Sequence, residues 1–147
     1  MKVSDFLKRT HQRLVTCDPS ATLQAVAKLM HTHDIGAMPV CELGVRMVGI
    51  VSERDLVRTF AKSEWSELQH LRARDVMTAP VVSCGPEDSM QGAQELMRRN
   101  RFRHVPVVEN GRVLGMVSIR DALARRLQES EDEINVLRDV VVAARHR

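Results

Sequence analysis

Hydrophobic and polar positions along the chain follow one order, and the chain runs through that order twice. In the first half, the mostly apolar residues 14–17 predict a short strand, and apolar residues at helical spacing between 23 and 30 predict a helix. Strands at residues 37–41 and 47–52 follow, and a second helix begins at Glu53. Each small sheet is therefore expected to carry its helices on one side.

The second half repeats these elements in register. Alignment of the halves places Pro19 over Pro86, and Thr22 and Ser89 become equivalent helix caps. The repeated elements are strands at 81–84, 104–109 and 113–118, a helix from 90 to 97, and a helix that begins at Ile119. This order predicts a mixed α/β (α+β) protein with two pseudo-symmetric β-α-β-β-α repeats and a long C-terminal helix.

The repeat boundaries divide the chain into four predicted segments. They are a first repeat at residues 1–60, a partly helical linker at 61–72, a second repeat at 73–128 and a helical extension at 129–147. Even the segments that lead into the repeats correspond, since residues 4–7 align with residues 74–77.

A serine followed three residues later by an aspartate opens the last helix of each copy. The pattern occurs as Ser52, Arg54 and Asp55 and again as Ser118, Arg120 and Asp121. One interpretation is a capping box, which satisfies free N–H groups at the helix start. The other is ligand binding, because a helix N-terminus attracts anions, an aspartate can accept hydrogen bonds from a ribose diol, and the arginine can bind a phosphate. Capping boxes prefer Glu or Gln at this position, so the repeated Arg-Asp pair favours binding.

A second candidate motif lies at the start of one strand of each copy. It consists of Ile35, Gly36, Ala37, Met38 and Pro39 in the first copy, and of Phe102, Arg103, His104, Val105 and Pro106 in the second. Backbone groups just before a strand proline lack a strand partner and could bind the edge of an adenine. An ordinary strand start is the alternative. Together with the serine–aspartate turns, these strand starts outline a cleft in each copy.

Both motifs, repeated in register across residues 3–127, resemble those of a pair of cystathionine β-synthase (CBS) domains, also called a Bateman module. The resemblance implies a stand-alone regulatory sensor that binds AMP, ADP, ATP, NAD or S-adenosylmethionine in two clefts between the repeats and signals to a protein partner. It implies ribose binding by Asp55 and Asp121 with support from Ser52 and Ser118, phosphate binding by Arg54 and Arg120, and an adenine side lined by Thr16, Ser83 and the backbone around Ala37, Met38, His104 and Val105.

The copies differ at the strand start, where Gly36 and Ala37 align with Arg103 and His104. The added positive charge predicts that the second cleft prefers the more phosphorylated ligand. The alternative is that Arg103 and His104 are solvated side chains.

Composition and charge narrow the function classes. The net charge of +3, with three Phe, one Trp and no Tyr, does not support nucleic-acid binding. No apolar stretch is long enough to span a membrane, and residues 1–10 do not form a secretory signal. Cys17, Cys41 and Cys84 are an odd number outside any CxxC pattern, which indicates buried thiols in a reducing, cytoplasmic compartment and no metal site. Without a P-loop, GxGxxG or HExxH motif, we expect neither enzymatic activity nor a catalytic cofactor.

The C-terminal segment predicts a long helix and an assembly. No proline or glycine interrupts residues 119–145, so the helix would be about 40 Å long. Its heptad seam is Leu123, Leu127, Ser130, Ile134, Leu137, Val141 and Ala144. The seam could pair with another helix or lie on its own module, whereas Arg145, His146 and Arg147 are too few to support DNA binding.

Apolar residues on the last helix of each copy predict a homodimer to which the C-terminal helix contributes. They are Leu56, Val57, Phe60, Leu123 and Leu127. A dimerisation module that has lost its ligand is the alternative to a nucleotide sensor.

Overall fold

Four strands form one sheet in a computed structural model that describes residues 1–146. Arg147, the last residue of the predicted extension and of its basic end, lies outside the described residues. The elements are α1 (Val3–Thr10), α2 (Leu23–His33), β1 (Ala37–Glu42), β2 (Arg46–Ser52), α3 (Glu53–Lys62), α4 (Trp65–Leu68), α5 (Ala73–Val76), α6 (Met90–Asn100), β3 (His104–Glu109), β4 (Arg112–Ser118) and α7 (Ile119–Arg145). The mixed α+β class and the long C-terminal helix are confirmed.

The sheet consists of two antiparallel hairpins that meet through β2 and β4, in the order β1-β2-β4-β3. Both hairpins carry a bulge at the same place, between Val40 and Cys41 in β1 and between Val107 and Val108 in β3. The hairpins are joined at their turn ends, where Arg46 pairs with Arg112. The predicted repeat is therefore visible in the strand register as well as in the order of elements.

The strands predicted at residues 14–17 and 81–84 are wrong as strands. Each segment makes one parallel bridge, Cys17 with Val40 and Cys84 with Val107. Pairing does not extend upstream because the next donor in β1 or β3 would be the N–H of residue 39 or 106, and both are prolines, which have no N–H. The caps predicted for the next helices are confirmed, since Thr22 and Ser89 accept hydrogen bonds from backbone N–H groups three residues on.

Two separate hydrophobic cores lie beneath the two hairpins. The first core consists of Cys17, Leu23, Val26, Met30, Met38, Val40, Val51, Leu56, Leu68 and Ala73. The second core consists of Val3, Phe6, Cys84, Met90, Ala93, Met97, Val105, Val107, Val117 and Ala122.

The lead-in segment of each repeat packs in the core of the other repeat. Val3 and Phe6 of α1 belong to the second core, and the Val3 amide donates to the Asp88 carbonyl at 2.8 Å. Conversely, Ala73 of α5 belongs to the first core, and its amide donates to the Ala21 carbonyl at 2.8 Å. The two repeats are therefore contiguous in sequence but exchange one helix each in space.

The apolar surface expected on α3 and α7 is present with one exception. Leu56 is buried in the first core at 8% exposure, because it lies on the face of α3 that covers the sheet. The other predicted residues are exposed, and they are Val57, Phe60, Leu123 and Leu127.

Helix α7 loses its close packing on the body of the protein after its first two turns, although residues as far as Glu133 still border a cavity with Met1 and α6. Ala122 is buried and Arg125 is half-buried, but every residue from 126 to 146 is exposed. The alternative in which the extension lies on its own module is therefore wrong for residues 134–146, all of which are exposed. Across residues 1–146, no helix combines the length and apolar character that a membrane crossing needs.

Candidate functional site

A cleft of about 510 Å³ opens where the two repeats meet, and we call it the central cleft. The first repeat lines it with residues of the predicted strand start, including Ile35, Gly36, Ala37 and Pro39. The second repeat lines it with residues of the predicted turn, including Ser118, Arg120 and Asp121, and with Arg103 and His104. The sequence motifs predict a cleft within each copy, whereas this cleft combines the strand start of one copy with the turn of the other.

The turn at the start of α7 is a capping box with one carboxylate oxygen left over. Ser118 Oγ accepts a hydrogen bond from the Asp121 amide at 3.1 Å, and Asp121 Oδ2 accepts one from the Ser118 amide at 2.9 Å. Within residues 1–146, Asp121 Oδ1 makes no hydrogen bond or ion pair. Capping and ligand binding are therefore compatible here, because the cap uses one oxygen of Asp121, a residue that lines the central cleft, and leaves the other oxygen free.

The twin turn at the start of α3 is closed more completely. Asp55 Oδ2 accepts hydrogen bonds from both the amide and the hydroxyl of Ser52, at 2.8 and 2.9 Å. The other oxygen, Oδ1, lies 3.8 Å from a guanidinium nitrogen of Arg58. Ser52, Arg54 and Asp55 do not line the central cleft. The two predicted ribose sites thus differ in the structure, and the Asp121 site is the more open one.

His104 lies in the central cleft beside a carboxylate that the sequence motifs did not identify. A Cβ placed on Gly36 would lie 3.3 Å from His104 Cε1 and 2.8 Å from Glu53 Oε1, so both side chains approach the bare Gly36 backbone. Burial lowers the pKa of His104 below its usual 6.5, and Arg103 acts in the same direction. The carboxylates of Asp121 and Glu53 partly offset that effect. The ring is thus placed where an added anion would favour its protonation.

Gln12 and Arg13 are among the other cleft residues that were missed, and both precede the first predicted strand. The side-chain amide of Gln12 donates to the Met116 carbonyl and accepts from the Met116 amide, each at 2.8 Å. This pair of bonds attaches Gln12 to β4, and Arg13 lines the cleft beside it. Glu53 had a detectable signal, because it aligns with the apolar Ile119 of the second copy.

Several predicted site residues do not line the central cleft. They are Thr16, Met38, Ser52, Arg54, Asp55, Ser83, Phe102, Val105 and Pro106. Met38 and Val105 are fully buried, each in one of the two cores, because alternate strand residues face opposite sides of the sheet. Phe102 packs against the second core. Their side chains support the strands rather than the cleft.

The three cysteines are free and buried, as their spacing indicated. Burial raises the pKa of each thiol, Cys17, Cys41 and Cys84, to about 11. Such thiols are protonated at neutral pH and are therefore poor nucleophiles and metal ligands. Among residues 1–146, no cluster of three or more His, Cys, Asp or Glu residues is arranged to hold a metal ion.

A family model described as the CBS domain matches this chain twice, over residues 3–62 and 73–127. A curated relative, the CBS domain-containing protein YhcV of Bacillus subtilis, is 31% identical over 78% of this chain and 80% of its own length. The inosine-5'-monophosphate dehydrogenase of Korarchaeum cryptofilum is 32% identical, but the match spans only 22% of that enzyme.

Two solved structures have the same fold. The CBS-domain containing protein ATU1752 from Agrobacterium tumefaciens has a TM-score of 0.78 and 37% identity, over 86% of this chain and 99% of that one. The CBS domain protein PAE2072 from Pyrobaculum aerophilum, solved in complex with AMP, has a TM-score of 0.70 and 31% identity, over 82% of this chain and 89% of that one.

Proposed function

This chain belongs to the CBS domain family, and on that premise we propose that its central cleft binds an adenosine-containing ligand and thereby regulates a protein partner. The complex of PAE2072 with AMP supports this ligand class, since that protein is 31% identical to this chain. The observation that carries the proposal is the uncommitted Oδ1 of Asp121 in the same cleft as Arg103 and Arg120. A carboxylate and two guanidinium groups in one cleft match a ribose diol joined to a phosphate.

The size of the central cleft suits a small molecule. Its volume of about 510 Å³ lies inside the range of about 300–1,000 Å³ that is usual for ligand pockets. The Gly36 backbone and the apolar Ile35 and Pro39 could receive the base, as the strand-start motif suggests. We therefore propose that the base contacts the first repeat while the ribose and phosphate contact the second.

The charges of the cleft bear on the number of phosphates. Arg103 and His104 alone led to the expectation of a more phosphorylated ligand. The structure adds Arg13 but also Asp34 and Glu53, so three arginines face three carboxylates, counting Arg120 and Asp121. If His104 is left out of the count, the formal charge of the cleft is zero. A cleft without excess positive charge favours a ligand with few phosphates, so we propose AMP over ATP.

Isothermal titration calorimetry with AMP, ATP and adenosine tests the proposed function directly. We expect AMP to bind more tightly than either of the other two ligands, with no turnover of the bound nucleotide. Mass spectrometry of small molecules released from the purified protein would identify a ligand that co-purifies. The absence of binding by all three adenosine compounds would favour the alternative, a dimerisation module without a ligand, and turnover would reveal an enzyme.

Arg103→Ala is expected to weaken AMP binding by about threefold to tenfold and to leave adenosine binding unchanged. The guanidinium is exposed, so its contact with a phosphate is partly screened by solvent and salt. Adenosine is the matched control because it lacks only the phosphate. Equal losses for the two ligands would show that Arg103 does not contact the phosphate.

The AMP affinity is expected to rise as the pH falls from about 7.5 to about 6, because of His104. Burial lowers its pKa in the free protein, and a bound phosphate would raise it, so binding takes up a proton between the two pKa values. AMP itself titrates near pH 6, so His104→Gln is the control. The difference between the two proteins should grow as the pH falls, and parallel pH profiles would contradict a contact between His104 and the phosphate.

A further inference from the structure

The second half of α7 has an apolar face that no part of residues 1–146 covers. This helix is 27 residues long, it borders the body of the protein as far as Glu133, and its residues from 126 to 146 are exposed. Ile134, Leu137 and Val141 are between 49% and 64% exposed. A helix in a protein gains most of its stability by packing its apolar face against other residues. The exposed apolar face of α7 therefore indicates a partner.

We propose that α7 of two copies of this chain pair in parallel as a two-stranded coiled coil. The paired residues, which we call the α7 seam, are Leu127, Ser130, Ile134, Leu137, Val141 and Ala144. They alternate at spacings of three and four, which is the period of a left-handed coiled coil. The proposal is independent of the ligand in the central cleft.

The residue types of the seam favour two strands. In heptad notation, Leu127, Ile134 and Val141 occupy position a, and Ser130, Leu137 and Ala144 occupy position d. β-branched residues at a with leucine at d favour parallel dimers. Ile134, Val141 and Leu137 follow that rule.

Charges beside the seam are complementary between copies. Arg126 and Glu133 occupy position g, and in a parallel pair they face the partner's Glu131 and the partner's Arg138 at position e. Within residues 1–146, none of these four residues makes an ion pair inside its own chain. The ion pair that α7 does make internally, between Arg125 and Glu129 at 3.1 Å, lies off the seam. Such pairs add little stability but select orientation and register.

A second copy fits this face better than a membrane surface does. Helices that lie on anionic membranes present lysine and arginine on the polar face. The polar positions of α7 after its second turn include Glu129, Glu131, Asp132, Glu133 and Asp139. Anionic lipids would repel this surface, whereas the arginines of another copy would match it.

Cysteine cross-linking tests the parallel pairing. Ser130→Cys places a nearly isosteric thiol at a d position, and Asp132→Cys places one two residues away on the opposite face as the matched control. Under mild oxidation, we expect a covalent dimer from Ser130→Cys in high yield and little from Asp132→Cys or the parent chain, whose three cysteines are buried. Equal yields from the two variants, or no dimer from Ser130→Cys, would overturn the parallel pairing.

A pair of glutamate substitutions measures the contribution of the seam to assembly. Ile134→Glu charges the seam, and Val136→Glu charges a similarly exposed residue outside it, since these side chains are 49% and 62% exposed. By light scattering over a dilution series, we expect Ile134→Glu to raise the dimer dissociation constant at least tenfold and Val136→Glu to change it less than threefold. A chain ending at Gln128 should weaken the dimer to the same degree. A monomeric parent chain at micromolar concentration, or a truncated dimer as tight as the parent, would overturn the proposal, while AMP titration of each variant reports on the central cleft separately.

Discussion

Phe6→Ala is expected to lower the free energy of unfolding by about 3–5 kcal/mol. Phe6 lies in α1 near the N-terminus, yet it is only 7% exposed and belongs to the second core with Met90 and Met97. Its removal would leave a cavity between α1 and α6 that the surrounding side chains could fill only in part. Since small proteins are stable by about 5–15 kcal/mol, the loss would be a large part of the total.

Urea denaturation followed by circular dichroism measures this effect. Trp65→Ala is the matched control, because it removes an even larger aromatic side chain from a helix but one that is 71% exposed. We expect the control to change the free energy of unfolding by less than about 1 kcal/mol. Similar losses in the two variants would contradict the placement of α1 in the second core.

Asp121→Asn is expected to weaken AMP binding in the central cleft by about tenfold to a hundredfold. The substitution keeps an oxygen that can cap α7 but removes the charge that strengthens the hydrogen bonds from a ribose diol, and bonds to charged groups contribute about 1.5–3 kcal/mol each. Calorimetry of the purified variants with AMP measures the loss.

Asp55→Asn is the matched control for the ribose contact. Both aspartates complete capping boxes, and asparagine keeps an oxygen that can accept the same backbone N–H, so both substitutions leave a helix cap in place. Only Asp121 lines the central cleft, so Asp55→Asn should leave the affinity of that cleft unchanged. A second site that uses Asp55 would appear as a loss of stoichiometry instead. Equal affinity losses in the central cleft would show that the charge acts through the helix rather than on the ligand.

Local features of the fold were predictable because they depend on residues close in sequence. Asn110 and Gly111 both have positive φ in the turn of the second hairpin, as their residue types favour. Ser52 and Ser118 cap α3 and α7 for the same local reason. The ends of α2 and α6 were not predicted, because both helices extend past their last predicted apolar residues, to His33 and Asn100. Polar residues continue each helix until a residue in the left-handed conformation ends it.

Features that depend on the relation between the repeats were not predictable from either repeat alone. The motifs placed Asp55 and Asp121 in equivalent sites, but only Asp121 lies in the central cleft with the strand start of the other copy. Part of the lining of the central cleft was missed because both repeats contribute residues to it. Glu53 and His104 come together only when the two hairpins meet, and a local pattern carries no signal of that contact.

The exchange of α1 and α5 makes the two halves of the chain depend on each other as complementing fragments. A single proteolytic cut after Ser63 would leave α1 on one fragment and α5 on the other. Each fragment would then carry the helix that completes the core of the other, so the nicked protein would stay associated without a covalent link. By itself, the first fragment would expose the apolar groove that α5 fills, and the second fragment would expose the groove that α1 fills.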